Sequence, residues 1–143
     1  MVNPMQAMLE NRRSTATGGF PERYAGIGHL DDLEVYREAH RMAFEVYQQS
    51  AALPLLESCG LAAEMRRAAV SVPFTLEAGL GRTGKREKLQ CYIAAQVSIA
   101  ELRERCMQAM DRGCPGSLFE ALTASDRIAV RLHSMMQRIR EGT

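Results

Sequence analysis

From residue 31 almost to its end, the chain repeats apolar residues at intervals of three and four, and this periodicity constrains the fold more than any other feature. Such spacing places apolar side chains on one face of an α-helix. No segment of useful length alternates apolar and polar residues with period two, so a sheet is not expected. Glycine and proline residues divide the periodic stretch into four segments, which predicts four amphipathic helices.

The first predicted helix begins at Asp31–Asp32, because acidic residues suit the positive end of a helix dipole. It ends near Ser50, ahead of Pro54, which disfavours helix in the residue before it. The second helix opens after Gly60, and Pro73 inside it predicts a kink or a local break. The expected buried faces are Leu33, Tyr36, Ala39, Ala43, Val46 and Tyr47 on the first helix and Leu61, Met65, Ala68, Ala69, Val72 and Leu76 on the second.

The third predicted helix lies between a glycine-rich turn at 79–84 and the stop signal Gly113–Gly116. The fourth begins at Ser117, a suitable N-cap residue. The expected seams are Tyr92, Ala95, Ile99, Leu102, Cys106 and Ala109 on the third helix and Leu118, Leu122, Ser125, Ala129, Leu132, Met136 and Ile139 on the fourth. Four helices with short connections predict an all-α, antiparallel up-down-up-down four-helix bundle over residues 31–143.

The first thirty residues break the helical pattern. Ser14–Gly19, Pro21, Gly26 and Gly28 predict a flexible N-terminal arm over 1–30. The chain has no apolar run approaching the ~20 residues of a membrane span, and no secretory signal is visible at its start. The four cysteines lack Cys-x-x-Cys spacing. We therefore expect free thiols, no membrane association and a cytoplasmic location.

The composition is that of one soluble globular domain, with 143 residues, 46% hydrophobic residues and a formal net charge of +1. That total argues against a strongly basic nucleic-acid binder. The chain has no Glu-x-x-His pair for a di-iron site, no haem attachment motif and no phosphate loop. His40 lies near the first apolar face and is predicted to be a satisfied core histidine. We expect no enzymatic activity, no cofactor and no metal, and a haem- or metal-binding bundle is the least favoured alternative.

The arginines are unevenly distributed. Residues 66–88 carry six basic residues against two acidic ones, and three arginines of the last helix share one stripe. Arginine suits bidentate phosphate contacts, which hold nucleic acid through its backbone. The simpler alternative is that these arginines only form a charged, solvent-exposed helix face and bind no nucleic acid. The candidate nucleic-acid contacts are Arg66, Arg67, Arg82, Lys85, Arg86, Arg127, Arg131 and Arg138. Arg66 or Arg67 is also predicted to form a structural ion pair within the bundle or between protomers, for which Glu64 and Glu101 are the candidate partners.

Two segments carry a resemblance to a known family. They are Asp32–Ala39 and the element Arg-Arg-Ala-Ala-Val-Ser-Val-Pro at 66–73, with Gly79 closing the second segment. Matching residues on the third helix are Glu87, Ala95, Ser98, Glu101 and Leu102. Over about residues 31–140 the chain resembles a bacterial family of small four-helix bundle proteins. That family includes ribosomal proteins encoded by intervening sequences in large-subunit ribosomal RNA genes, and accessory variability proteins of diversity-generating retroelements.

The resemblance implies a four-helix protomer that assembles with itself into a ring, typically a homopentamer, without enzymatic activity. In the retroelement branch the ring is basic, binds nucleic acid and docks on a reverse transcriptase. The implied partners are therefore further copies of the chain, RNA or DNA, and a reverse transcriptase or ribosomal component. A protein–protein adaptor without a nucleic-acid role is the alternative.

The chain departs from the family pattern after Pro73. The family usually continues Ser-Asn-Ile-Ala-Glu-Gly, whereas this chain has Thr75 at the asparagine position and Ala78 at the glutamate position, with its carboxylate at Glu77. A shift of one residue turns a helical side chain to a different face. Val97 replaces a usual glycine, and its side chain is expected to prevent a close approach between helices there.

Overall fold

The computed structural model describes residues 30–51, 60–113 and 118–142, which form four α-helices. The helices are α1 (Leu30–Ala51), α2 (Leu61–Leu80), α3 (Lys85–Asp111) and α4 (Leu118–Arg140). No strand occurs in these three ranges, which confirms the all-helical prediction. Leu30, which we assigned to the arm, is the first residue of α1. The rest of the arm and Ser117 lie outside the described residues.

The four helices enclose one hydrophobic core. Helix α1 packs on α2 and α4, and helix α3 packs on the same two neighbours. Every residue predicted for the apolar faces of α2 and α3 is buried. Helix α1 rotates slightly from the prediction, since Val35 and Met42 are buried while Leu33 and Tyr47 are half-buried. His40 is also buried, 6.2 Å from the Tyr36 ring between centroids.

The buried face of α4 is wider than the predicted seam. Ala121, Ala124, Ile128 and Met135 are buried in addition to most of the predicted residues. Three predicted residues are only half-buried, and these are Leu122, Ala129 and Ile139. The buried face is wide because α4 packs on both α1 and α3, and apolar residues must contact each of these two helices.

Helix α2 continues through Pro73, so of the predicted kink or local break, the local break does not occur. Proline has no N–H and therefore leaves the carbonyl four residues earlier without its usual donor. The Thr75 hydroxyl donates to the carbonyl of Ser71 at 2.7 Å and lies 3.1 Å from that of Val72. The carbonyl that Pro73 leaves without its donor belongs to Ala69, so the Thr75 hydrogen bond does not replace the missing one.

Helices α2 and α3 are in tight contact where Gly79 faces Tyr92. A Cβ atom at position 79 would lie 2.8 Å from Tyr92 Cδ1 and 3.1 Å from Cys91 Cβ, closer than packed carbons tolerate. Further along the same pair, the Ser71 and Ser98 hydroxyls are hydrogen-bonded at 2.7 Å. The family-like residues of α2 therefore serve helix packing.

Val97 does not obstruct this approach, contrary to our expectation. Its side chain is 53% exposed, on the side of α3 away from the core. The contact with α2 is made by Cys91, Tyr92 and Ser98, which lie on other faces of the α3 helix.

The Gly79–Tyr92 contact generates a stability prediction. Gly79→Ala should lower the free energy of unfolding, because overpacking costs about 1–3 kcal/mol, whereas alanine gains only about 1 kcal/mol in helix propensity. The matched control is Gly81→Ala, since the nearest atoms to a Cβ there are 3.7 Å away. Urea denaturation of both variants checks the prediction, and equal midpoints would contradict it.

Candidate interaction surfaces

The arginine stripe of α4 faces acidic residues of α1. Arg127 Nε donates to Glu38 Oε1 at 2.9 Å, and Arg131 Nη1 donates to Glu38 Oε2 at 2.9 Å. Arg138 Nη2 donates to Asp32 Oδ1 at 2.7 Å. We call these five residues the α1–α4 ion-pair seam. The Glu38 side chain is only 12% exposed, so the pairing is shielded from water on the acidic side.

The sequence prediction grouped these arginines correctly on one stripe but missed their acidic partners. The sequence does hint at this pairing, because six residues separate Asp32 from Glu38 on α1 and seven separate Arg131 from Arg138 on α4. Matching the two spacings requires knowledge that α1 and α4 are neighbours, which is a tertiary relation. The pairing reduces the charge that this stripe offers to a phosphate backbone.

A second group of candidate cations lies where α2 ends and α3 begins. Arg82 is exposed, with Nη1 3.8 Å from Glu87 Oε2. Lys85 Nζ donates to the carbonyl of Arg140 at 3.3 Å, which places this group beside the end of α4. Arg86 is exposed and has no ion pair among the described residues. We call Arg82, Lys85 and Arg86 the end cations.

Lys88 lies beside the end cations but serves packing. Its Nζ donates to the carbonyl of Gly79 at 2.8 Å and lies 5.9 Å from the centre of the Tyr92 ring. Burial lowers the pKa of the Lys88 amine, and the charges of Asp32 and Cys91 oppose that shift. The lysine therefore closes the end of the bundle and is not an open phosphate contact.

Arg66 and Arg67 lie far from the end cations, near the start of α2. Arg66 Nε donates to the buried Ser50 hydroxyl at 2.8 Å, and its guanidinium carbon lies 5.7 Å from the centre of the Tyr47 ring. Arg66 thus ties α2 to α1, whereas Arg67 is exposed. Within the single chain Glu64 is bound by Arg105, whose Nε lies 2.9 Å from its carboxylate, and the predicted pairing of Arg66 or Arg67 between protomers stays a prediction.

The alternative partner, Glu101, is exposed and makes no ion pair in the described parts of the chain. The structure therefore separates the eight candidate residues into three places. They are the ion-pair seam, the end cations and the start of α2.

The core offers little for metal or thiol chemistry. Within the described residues, no three His, Cys, Asp or Glu side chains come together as metal ligands. Cys91 and Cys106 carry free thiols. Burial raises the pKa of the Cys106 thiol to about 11, so this thiol stays protonated at neutral pH. None of the four helices has the length and apolarity that crossing a membrane requires.

Several apolar side chains of α2 and α3 point away from the core and are exposed. Phe74 is 64% exposed, and Ile93 and Val97 are 45% and 53% exposed. The contacts Ser71–Ser98 and Gly79–Tyr92 fix how the two helices align, and they place Phe74 level with Ile93 and Val97. We call these three residues the α2–α3 outer face.

The ion-pair seam generates a second stability prediction. Glu38→Gln should lower the free energy of unfolding by about 1–2 kcal/mol, because one shielded carboxylate holds two arginines. Glu34→Gln is the matched control, since Glu34 is half exposed and pairs only with Arg37 on its own helix. That change should cost about 0.2–0.5 kcal/mol. Chemical denaturation at neutral pH compares the two, and an equal loss in both would refute a special role for Glu38.

Comparison with known proteins connects this architecture to a family. No curated protein and no solved structure matches the chain. A model of the family described as 23S rRNA-intervening sequence protein matches residues 31–125. The matched range contains α1, α2 and α3 and the beginning of α4, including the packing contacts at Ser71 and Gly79. The chain belongs to the 23S rRNA-intervening sequence protein family.

Proposed function

We propose that this protein is a non-enzymatic accessory protein, working as a cytoplasmic homo-oligomeric ring of five antiparallel up-down-up-down bundles. The observation that carries the proposal is the α2–α3 outer face. Single exposed apolar residues are common on monomers, but a group of them marks a site of association. A second copy of the chain is the proposed partner for this face.

Contacts between helix ends support the antiparallel topology. Lys88, near the start of α3, binds the carbonyl of Gly79 at the end of α2. Arg105, towards the end of α3, binds Glu64 at the start of α2. The same logic applies to α4 and α1, since Arg138 in the last turn of α4 binds a carboxylate in the first turn of α1. Neighbouring helices of opposite direction are the arrangement that short connections favour.

The outer face continues as a stripe along α3. Exposed Ile93, Val97 and Ala100 recur at intervals of four and three, and exposed Met107 follows beyond Glu104. Helix α3 therefore has apolar residues on the side away from the core as well as on its core side. A helix that is apolar on two sides needs partners on both, and within one chain only the core side is covered.

If the protein self-associates, its mass in solution exceeds the mass of one chain. Light scattering of the unmodified protein at micromolar concentration should give a multiple of the 15.9 kDa chain mass. Phe74→Glu and Val97→Glu should each shift the protein towards monomer, because a carboxylate buried without a partner is costly. Val130→Glu is the control, since Val130 is 68% exposed among polar neighbours on α4.

Two results would refute the assembly proposal. One is a monomer for the unmodified protein at all concentrations. The other is an unchanged mass for both outer-face variants. Circular dichroism of each variant verifies that the helices remain formed, so a loss of assembly can be separated from a loss of fold.

The proposed partner of the ring is RNA or DNA, with the end cations as the phosphate contacts. Arg82 and Arg86 are exposed, and neither is held by a close ion pair among the described residues. A ring would repeat this group once for each copy, which multiplies weak phosphate contacts. The family name refers to an intervening sequence of 23S rRNA, which favours RNA as the first ligand to test. A reverse transcriptase or ribosomal component is the proposed protein partner.

Nucleic-acid binding is tested by salt titration with single- and double-stranded RNA and DNA. The affinity should fall steeply with salt concentration, because bound phosphates release counterions. Arg82→Glu with Arg86→Glu should weaken binding at least tenfold, roughly the loss expected from two phosphate contacts. Arg67→Glu with Arg112→Glu is the control, because both arginines are exposed and lie near the start of α2 and the end of α3, at the other end of the bundle, where they change the net charge equally.

An equal loss of nucleic-acid affinity in the two double variants would refute the end cations as the contact surface. No binding at low salt would refute the nucleic-acid role and support the alternative, a protein–protein adaptor. The observation that favours the adaptor is the α1–α4 ion-pair seam, in which acidic residues already occupy the arginine stripe.

A further inference from the structure

Helix α3 carries a second regular stripe on the side away from the core. Exposed residues recur along it from position 86 to position 104 at intervals that alternate strictly between four and three. They are Arg86, Gln90, Ile93, Val97, Ala100 and Glu104. This alternation is the spacing at which one helix packs lengthwise against another in a coiled coil. We call these six residues the α3 outer stripe.

The α3 helix lies at a corner of the bundle. Helices α2 and α4 flank it, and α1 lies diagonally across the core. The contacts with the flanking helices lie on other sides of α3, where Ser98 meets Ser71 of α2 and Arg103 binds Asp126 of α4. Among the described residues, no helix lies against the α3 outer stripe.

The charges of the stripe are complementary to those of a second copy. Arg86 lies nine residues before position 95, and Glu104 lies nine residues after it. Arg86 makes no ion pair among the described residues. The Glu104 side chain is 67% exposed, and Arg105, with Nη1 4.0 Å from it, is already bound to Glu64. A stripe with a cation at one end and a carboxylate at the other can pair both charges with a copy that runs in the opposite direction.

The residues between these two charges follow the same symmetry. Ile93 and Val97 lie two residues either side of position 95, and Gln90 and Ala100 lie five residues either side. An antiparallel copy centred on position 95 therefore sets Ile93 against the partner's Val97 and Gln90 against the partner's Ala100. A parallel copy would instead bring like charges together at both ends of the stripe, which is unfavourable.

We propose that the α3 outer stripe binds the same stripe of a second copy, with the two helices antiparallel and Arg86 of each chain paired with the partner's Glu104. The inference rests on the proposed self-association and specifies one of its contacts. This contact has two-fold symmetry, so it cannot by itself close a ring of five and joins one ring to another. Phe74 on α2 lies outside the stripe and remains for the contact within a ring. Because Arg86 is one of the end cations, a phosphate bound there competes with the pairing.

Charge reversal tests the pairing. Arg86→Glu and Glu104→Arg each replace two attractive pairs by like charges, because every contact contains the pair twice. Each should raise the concentration at which half of the contacts dissociate at least about fivefold. Analytical ultracentrifugation over a dilution series measures this concentration, since loss of a two-fold contact halves the mass.

The double variant Arg86→Glu with Glu104→Arg restores opposite charges across the contact. It should return the dissociation concentration to within about twofold of the unmodified protein. The two positions lie about 27 Å apart along α3, so this rescue cannot come from a pair within one chain. Glu45→Arg is the matched control, because Glu45 is exposed on the diagonal helix α1 and its reversal changes the net charge as Glu104→Arg does.

Circular dichroism of each variant verifies that the helices remain formed. Two results would overturn the α3 pairing and leave the proposed self-association intact. One is an assembled protein whose dissociation neither single reversal changes relative to Glu45→Arg. The other is a double variant that dissociates as readily as the single variants. An unmodified protein that stays monomeric at every concentration would overturn both proposals.

Discussion

The contact between Gly79 and Tyr92 sets the arrangement of the two central helices. Because position 79 has no side chain, the tyrosine ring lies against the backbone of α2 and the axes come close. Ser71 and Ser98 then meet at 2.7 Å, and Arg105 reaches Glu64 at 2.9 Å. These contacts fix how far α3 is shifted along α2. They also determine which residues of the pair point outward, and hence the position of the α2–α3 outer face.

Charge pairing decides which cations remain available to a partner. The net charge of +1 conceals a seam in which two acidic residues of α1 hold three arginines of α4. The same kind of pairing ties α3 to α2 through Arg105. The end cations differ, because Lys85 only touches a backbone carbonyl and Arg86 makes no ion pair in the described ranges. The surface proposed for phosphate is therefore smaller than the arginine count indicates.

Much of the fold could be predicted from the sequence because helix periodicity is a local property. The seam of α3, from Tyr92 to Ala109, is fully buried as predicted. The errors arise where tertiary contacts decide the outcome. Val97 faces solvent instead of α2, and Glu38 binds arginines about ninety residues away. For the same reason, the arginine stripe of α4 was predicted correctly, but the acidic residues of α1 that bind it were not.

We propose that a second copy of the chain covers the α2–α3 outer face. Hydroxyl-radical footprinting of the unmodified protein, read out residue by residue, measures this most directly. In a single chain Phe74 and Val97 are 64% and 53% exposed, comparable with Val130 at 68%. We predict that Phe74 and Val97 are strongly protected relative to Val130 at concentrations where the protein assembles, and that dilution removes the protection. Oxidation rates of Phe74 and Val97 that, relative to Val130 and corrected for the intrinsic reactivity of each side chain, do not change with concentration would contradict the account.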